Sequence, residues 1–338
     1  MKGVEPSIND VARAAGVSTA TVSRALRGLP NVSAATTAKV TQVAEQLGYS
    51  ASPAAVSLAS GATRNIAIVC SQLNMWFTSN VCEAIVRAAQ DEGFTASLLC
   101  LGKGSLHEAG AGQRRRVQAA KLRRRADAVI VVALPLLAGE LAELQALNVP
   151  VVFVGPAVTG QACVHIDEYS TARKATSYLL GRGHTTIAHL TGPADDDAEE
   201  GPPLLRLRGY VDALAAAGIE VDYELIAHCD YDREAARSAA RDLLRTRPDT
   251  SAILGFSDVH AAGALAAAAD LDLRVPADIA IVGIDGSELS EVLALTSLAQ
   301  DPVLQGEAAV SLALDMLTGA PVPEQNVFPT TLIERASV

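Results

Sequence analysis

Several absences narrow this chain before any motif is read. Its five cysteines (Cys70, Cys82, Cys100, Cys163, Cys229) are scattered and odd in number, with no C-x-x-C pair. That spacing excludes a disulfide framework or a thiolate zinc site and fits a reducing compartment. No run of 18 apolar residues occurs, and the first residues lack a basic segment leading into an apolar stretch with a small-residue cleavage site. A cytoplasmic protein with no membrane partner is expected. Enzyme signatures are missing too: no nucleophile motif, no G-x-G-x-x-G after a strand, no H-E-x-x-H and no P-loop. His165, His184, His189, His228 and His260 do not fall at metal-ligand spacing. Neither catalysis, nor a cofactor, nor a metal is therefore expected. Trp76 is the only tryptophan.

What is present describes a packed protein. Apolar residues make up 49% of the 338 and charged ones 19%, which suits two or three globular domains. Net charge is −11, an argument against a nucleic-acid partner until its distribution is considered. Residues 1–60 carry five basic against three acidic side chains, and the remainder carries 22 against 35. A mildly basic head on an acidic body can still bind DNA, because salt screens the body's charge beyond ~10 Å.

The head is written in "VARAAGVSTATVSRAL", Val11 to Leu26. Ser7 and Asp10 make an S-x-x-D helix start, and Gly16 can take the left-handed turn that ends that helix. Ser18 then caps a second helix with Thr21 at its third position, and Val22, Ala25 and Leu26 give it an inner face. Two short helices about a glycine turn predict a helix-turn-helix. Its outer face offers Thr19, Ala20, Thr21, Ser23, Arg24 and Arg27. Short side chains let the backbone approach a major groove, an Arg can pair with guanine, and a methyl can meet a thymine methyl. Ser18, Thr21 and Ser23 suit phosphate oxygens, and Ser7 and Asn31 complete the DNA-facing set. A helical hairpin with a merely solvated outer face is the plainer alternative. A third helix is expected from Ser33 to Gly48, with Val40, Val43, Ala44 and Leu47 on one face. Beyond it, Ser52 and Pro53 can start a short helix over Ala54–Ala59 whose one large apolar group is Leu58. Such a helix is marginal alone, and a flexible linker is the alternative.

From Asn65 the pattern becomes strand and helix in alternation, enough for two parallel-sheet lobes with ligands in the cleft between them. "INDVARAAGVSTATVSRALRG", "AVSLASGATRNIAIV", "LLGRGHTTIAHLTGP", "RLRGYVDAL" and "LRVPADIAIVGID" together resemble the lactose-repressor (LacI/GalR) family of bacterial transcription regulators, over essentially the whole chain. The resemblance implies an all-α helix-turn-helix head on an α/β, two-lobed core like that of periplasmic binding proteins, with two doubly wound parallel sheets. It implies a division into a head (1–48), a hinge helix (49–62), one lobe of 63–160 with 293–320, and another of 161–292 with 321–338. It implies that Leu58 from each of two subunits wedges the minor groove at the operator centre. Ala51 stands where the family often has Pro, and Val56 where it often has Arg or Gln, so the hinge would lean less on phosphate contacts.

The resemblance also carries effector-binding roles onto matching positions: Arg206, Asp285, Ser257 with Asp258, and Gln300, with Trp76 and Phe77 offering stacking surfaces. Ala133 and Gly155 are apolar where sugar-responsive relatives often place Asn or Asp, so the pocket should be less hydrophilic than a monosaccharide site. Arg206 could instead be a surface helix residue and Trp76 simple packing. "QRRRVQAAKLRRRADAV" reads as the solvated face of a covering helix with Val117, Ala120 and Leu122 inward, not as a nucleic-acid patch. "ADDDAEE" lacks the oxygen spacing of a calcium loop and reads as solvated.

The expected function is an effector-controlled, sequence-specific DNA-binding regulator, a repressor, acting as a homodimer on a pseudo-palindromic operator. Its partners would be double-stranded DNA and a small-molecule effector, with a sugar the default by resemblance. "LIERASV" closes the sequence without an apolar heptad tail, which argues against a coiled-coil tetramer. The alternative is a solute-binding protein of a transporter, which the head argues against; an enzyme is the third class.

Overall fold

The computed structural model describes residues 6–26, 30–49, 62–102, 116–137, 139–193 and 201–338. Arg27, Leu58, the expected 49–62 hinge apart from its first and last residues, and the acidic 194–200 segment lie outside the described residues. The chain divides into two compact units, Met1–Thr63 and Arg64–Val338.

In the first unit α1 (Ile8–Ala15), α2 (Thr19–Leu26) and α3 (Ala34–Leu47) close on one small core. Val11, Ala15, Val22 and Val40 are fully buried, with Ala12, Ala25 and Ala44 filling the close crossings. Each helix has its cap. The Asp10 carboxylate accepts the Ser7 N–H at 3.0 Å and its hydroxyl at 2.7 Å, which holds that carboxyl below its usual pKa. Ser18 Oγ accepts the Thr21 N–H, and Ser33 Oγ that of Thr36. Gly16 sits at φ +68°, where the turn between α1 and α2 requires a residue without a Cβ penalty. Leu47, expected inside, is 40% exposed at the last position of α3, just before the Gly48 cap.

The second unit contains two six-stranded sheets of one design. The first comprises β1 (Asn65–Cys70), β2 (Thr95–Cys100), β3 (Ala128–Val132), β4 (Val151–Val154), β5 (Ala162–Ile166) and β11 (Gln325–Phe328). Their order is β11-β5-β4-β3-β1-β2, parallel throughout. The second comprises β6 (Ile187–Thr191), β7 (Ile226–His228), β8 (Ala252–Gly255), β9 (Ala280–Asp285), β10 (Thr296–Ala299) and β12 (Thr331–Ile333). Its order is β12-β10-β9-β8-β6-β7, and only β12 runs antiparallel to its neighbour. Runs such as "AVIVV" in β3, buried at every position, are what a sheet covered on both faces demands. Helices α4 (Trp76–Asp91), α5 (Ala119–Leu122), α6 (Glu140–Gln145) and α12 (Pro302–Thr318) cover the first sheet. The second is covered by α7 (Glu168–Gly181), α8 (Pro202–Ala216), α9 (Arg233–Thr246) and α10 (Asp258–Asp270); α11 (Glu288–Val292) follows β9.

Two expectations change. The chain crosses between lobes just after Ile166, at Gln300 and just after Phe328, later each time than the expected 160, 293 and 320. β5 and β11 therefore belong to the first lobe and β10 to the second. The reason is mechanical: a crossing follows the end of a strand, and each of these strands completes its ladder before the chain leaves. The basic stretch is also not a long covering helix. Only Ala119–Leu122 is helical among its described residues, and Val117 and Ala119 point inward while Ala120 is exposed. Arg123, Arg124 and Arg125 are exposed, and Arg124 turns the chain at φ +58°.

Candidate functional site

On the head, the outer face of α2 presents what a groove-reading helix needs. Thr19, Ala20 and Arg24 are exposed, Thr21 and Ser23 half-buried, and α2 carries no acidic side chain. Ser7, Ser18 and Asn31 are exposed as well. Ser18 Oγ and Thr21 Oγ1 lie 2.9 Å apart, so one hydroxyl proton is spent between them and one remains for an outside acceptor. Asn31 takes φ +74°, one of the few non-glycine types that tolerates the left-handed region.

In the body, the expected effector residues gather where the two lobes face each other at the carboxyl ends of their strands. Arg206, on α8, is not a surface residue but only 4% exposed. Its Nε donates to Glu168 Oε2 at 2.6 Å, its Nη1 donates to the Phe256 carbonyl, and the guanidinium lies 4.4 Å over the Phe256 ring. Burial would lower the Arg206 pKa, but the carboxylates of Glu168 and Asp285 outweigh burial and raise it. Asp285 ends β9 at φ +129°, a conformation a non-glycine residue holds only under constraint from its surroundings. Gln300 Nε2 donates to Asp285 Oδ1 at 2.8 Å, and Gln300 Oε1 accepts from Gln305 Nε2 at 3.1 Å. Burial and the neighbouring Asp258 charge push the Asp285 carboxyl up to about 7, against the pull of Arg206.

Asp258 requires correction. It is fully buried and its carboxylate is used internally: Oδ2 accepts the Ser287 N–H at 2.7 Å and hydroxyl at 2.8 Å, and Oδ1 accepts the Ser297 hydroxyl at 2.6 Å. It ties the start of α11 to β10 and is not placed as a ligand contact. Its neighbour Ser257 bonds His260 Nδ1 at 2.9 Å. In the first lobe Phe77 packs on the sheet core beside Gly155. Trp76 is not simple packing, because its Nε1 donates to Glu288 Oε2 of the second lobe at 2.7 Å. A cavity of about 210 Å³ lies between the lobes, lined from the first by Gly155, Pro156 and His165 and from the second by Glu168, Tyr169 and Pro202, among others; it touches the expected set only through Glu168, the partner of Arg206, and none of the expected effector residues lines it.

Glu168, Ser287, Ser297 and Glu288 were not singled out by the sequence. Glu168 follows the Asp167 cap in the first turn of α7, where an acid reads as ordinary helix-start chemistry. Only tertiary contact with Arg206, 38 positions away, reveals its other role.

A three-helix head with an exposed, acid-free second helix and a two-lobed body with an interlobe cavity define a ligand-responsive DNA-binding regulator. Comparison with known proteins agrees. Residues 7–52 match the model for bacterial regulatory proteins of the lacI family, and residues 176–338 match the periplasmic binding protein-like domain. The chain is 31% identical to the HTH-type transcriptional regulator GalR of Escherichia coli K12, over 98% of its own length and 95% of that protein's. It is equally similar, at 31% over 98% of both chains, to the HTH-type transcriptional regulator CelR of Thermobifida fusca. Among solved structures, the lac repressor dimer bound to operator and the anti-inducer ONPF matches with a TM-score of 0.85 at 26% identity, covering 99% of both chains. A CelR–cellobiose complex matches with a TM-score of 0.70 at 30% identity, covering 98% of this chain and 100% of that one. This chain belongs to the lacI family of bacterial transcription regulators. A transporter's solute-binding protein, the alternative weighed from the sequence, has no counterpart to the head.

Proposed function

We propose that this protein is a cytoplasmic, non-catalytic repressor whose affinity for a pseudo-palindromic operator is set by a small hydroxylated effector, a sugar, held between its lobes. The observation that carries the reading is the Arg206–Glu168 pair and Asp285–Gln300 pair set at the strand ends, in a chain that also owns an exposed, acid-free α2. In this reading Thr19, Ala20, Thr21, Ser23, Arg24 and Arg27 face bases and phosphates, Ser7, Ser18 and Asn31 position the head, and Leu58 wedges the duplex. Arg206, Asp285 and Gln300 meet the effector directly, Trp76 and Phe77 flank it, and Ser257 supports the wall through His260. The functional divisions are a head, a linker over 49–62, a first lobe of 64–166 with 302–328 and a second of 168–299 with 331–338.

Two copies are needed to read two half-sites, and the body offers a surface for pairing. Leu289, Val292 and Leu293 form an exposed apolar stripe at helical spacing around α11, with Val292 82% exposed. An effector that prefers one interlobe angle shifts the population of angles, and a coupling of about 1–3 kcal/mol changes operator occupancy roughly 5–150-fold.

The test is a gel-shift titration of the full chain on DNA from upstream of its own gene, with neutral mono- and disaccharides screened by Trp76 fluorescence. A retarded complex that one sugar weakens or strengthens is expected, and Arg24→Ala should abolish it. Failure to bind any palindrome-bearing fragment more tightly than random duplex at physiological salt defeats the reading.

A further inference from the structure

Arg206 is buried directly behind Glu168, which lines the interlobe cavity, and its charge is already balanced. Glu168, itself only 8% exposed, holds Nε at 2.6 Å, and the Phe256 carbonyl and ring take Nη1 and one guanidinium face. These two hydrogen bonds use two of the five guanidinium N–H groups, so what is spent is the charge and not the donor capacity. The next formal charge toward Arg206 is another carboxylate, that of Asp285, which interacts with both Arg206 and Glu168.

The cavity wall reinforces the point. Among the described residues that line it there is no Lys or Arg, while Asp167 and Glu168 are both acids. His165 is the one lining residue that could carry positive charge. Its ring nitrogens both face protein oxygens that accept, Nδ1 the Ile166 carbonyl at 2.8 Å and Nε2 Gln325 Oε1 at 2.7 Å, so neither ring N–H is left to donate to a ligand. Asp167 is exposed and caps α7, accepting the Ser170 N–H and hydroxyl at 2.8 and 2.6 Å. An anion entering this space loses its hydration and meets no Lys or Arg and no free imidazole N–H in the lining, while Asp167 and Glu168 repel it. A neutral hydroxyl meets no such penalty, since it can donate to a carboxylate and accept from the guanidinium.

Resting on the effector-site reading above, we infer that Glu168 is a specificity residue that makes the cleft reject anions, so that its ligand is an uncharged hydroxylated molecule and not a phosphate ester or a carboxylate. Glu168 acts by presenting Arg206 as part of a neutral pair. The same Arg with a neutral residue at position 168 is an anion site.

Inorganic phosphate is the probe, because it reports the freed guanidinium whatever the effector proves to be. Trp76 fluorescence and the thermal midpoint of the full-length protein are followed against phosphate, with chloride at matched ionic strength as the control. The wild type should show no phosphate-specific change. Glu168→Gln, which keeps shape and removes charge, should bind phosphate about tenfold or more tighter than wild type. The double variant Glu168→Gln/Arg206→Met should lose that gain. Phosphate-specific binding to the wild type as strong as to E168Q, or a folded E168Q with no gain, overturns the inference. If E168Q does not fold, the neutral sugar found by the Trp76 screen and its phosphate ester, compared on the wild type by calorimetry, decide it: an ester that binds as tightly as the free sugar or more tightly overturns the inference, and an ester at least about tenfold weaker than the free sugar supports it. These outcomes are separate from the repressor reading. A wild type that binds phosphate while a neutral sugar still alters operator affinity sinks only the present inference. An E168Q gain without any effector response at the operator sinks only the repressor's sugar control.

Discussion

The two lobes share a strand order but finish their cleft edges in opposite ways. In the first, β3 and β4 run out into Ala133 and Gly155, both at positive φ, with Phe77 beside Gly155. In the second, the matching strands β8 and β9 run out into Ser257, Asp258 and Asp285, backed by Arg206 and Glu168. One wall is small and apolar, and the other holds the charge. A common backbone plan thus carries a small apolar wall in one lobe and a charged, hydrogen-bonded wall in the other, the difference lying in the residues at and after the strand ends. The charged wall must also satisfy itself when the cleft is empty, so its residues carry structural work that the first lobe's wall does not.

The largest expected effect follows from that asymmetry. Asp258→Ala leaves the Ser287 N–H, the Ser287 hydroxyl and the Ser297 hydroxyl without their acceptor. Buried donors stranded in this way should cost about 3–5 kcal/mol. Phe77→Leu on the facing wall, a change of packing alone, should cost under about 1.5 kcal/mol. Urea denaturation of the two variants makes the comparison, and equal losses would break it.

Next come the glycines at the helix crossings. A Cβ on Gly209 runs into the Tyr169 backbone carbonyl and approaches Arg173 N at 3.0 Å, so α7 and α8 must separate. A Cβ on Gly306 of the first lobe meets the Ala84 methyl at 2.7 Å and Val81 O at 2.9 Å, where α12 crosses α4. Both Ala substitutions should destabilise by roughly 1–3 kcal/mol, with Gly209→Ala the worse because its Cβ overlaps a backbone carbonyl more deeply than anything met at Gly306. A milder loss at Gly209 than at Gly306, by thermal or urea melts, reverses the ranking.

Much of this was legible in the sequence. The caps at Ser7, Ser18 and Ser33 and the stops at Gly16 and Gly48 are local chemistry, and local chemistry can be read from neighbours. Buried strands such as "AVIVV" announce themselves by composition. The crossings between lobes were misplaced because nothing in "ACVHIDEYS" marks which sheet its strand joins; that depends on partners far along the chain, such as β11 pairing Gln325 with Cys163. Asp258 was misassigned for the same reason. An acid opening a helix after a strand looks the same whether it faces a ligand or two serines from later elements. Glu168 was passed over because a first-turn acid is common.

A pH series tests the charge asymmetry at smaller cost. Burial pushes His189 down to about 4 and His260 to about 3, both in the second lobe, whereas His165 of the first lobe is only half-buried. Their folded pKa values lie below the unfolded value of about 6.5, so as pH falls the unfolded chain takes up protons first. Their contribution is complete above that value and is lost toward pH 4. Asp285 acts oppositely: with its folded pKa raised to about 7, its protonation favours the native state between there and the ordinary carboxylate range. Wild-type stability should therefore fall on acidification from pH 6 to 5, and Asp285→Asn should fall more steeply, by about one proton, or roughly 1 kcal/mol per pH unit. Parallel slopes in pH-resolved urea melts would show that Asp285 titrates like a solvent-exposed acid.

The smallest effect is at a hydrogen bond that joins the two walls, Trp76 Nε1 to Glu288 Oε2 at 2.7 Å. Both partners are partly solvated, so the bond contributes about 0.5–1.5 kcal/mol to lobe closure. Glu288→Ala removes the acceptor and keeps the only tryptophan as reporter. Trp76 emission should shift to the red as its N–H turns to water, and the affinity of an effector that prefers closed lobes should fall by about two- to tenfold. Global stability should hardly move, because no buried group is orphaned. An unchanged emission maximum with unchanged effector affinity would mean that the two walls close without this bond, and that closure depends on the ligand and the charged wall alone.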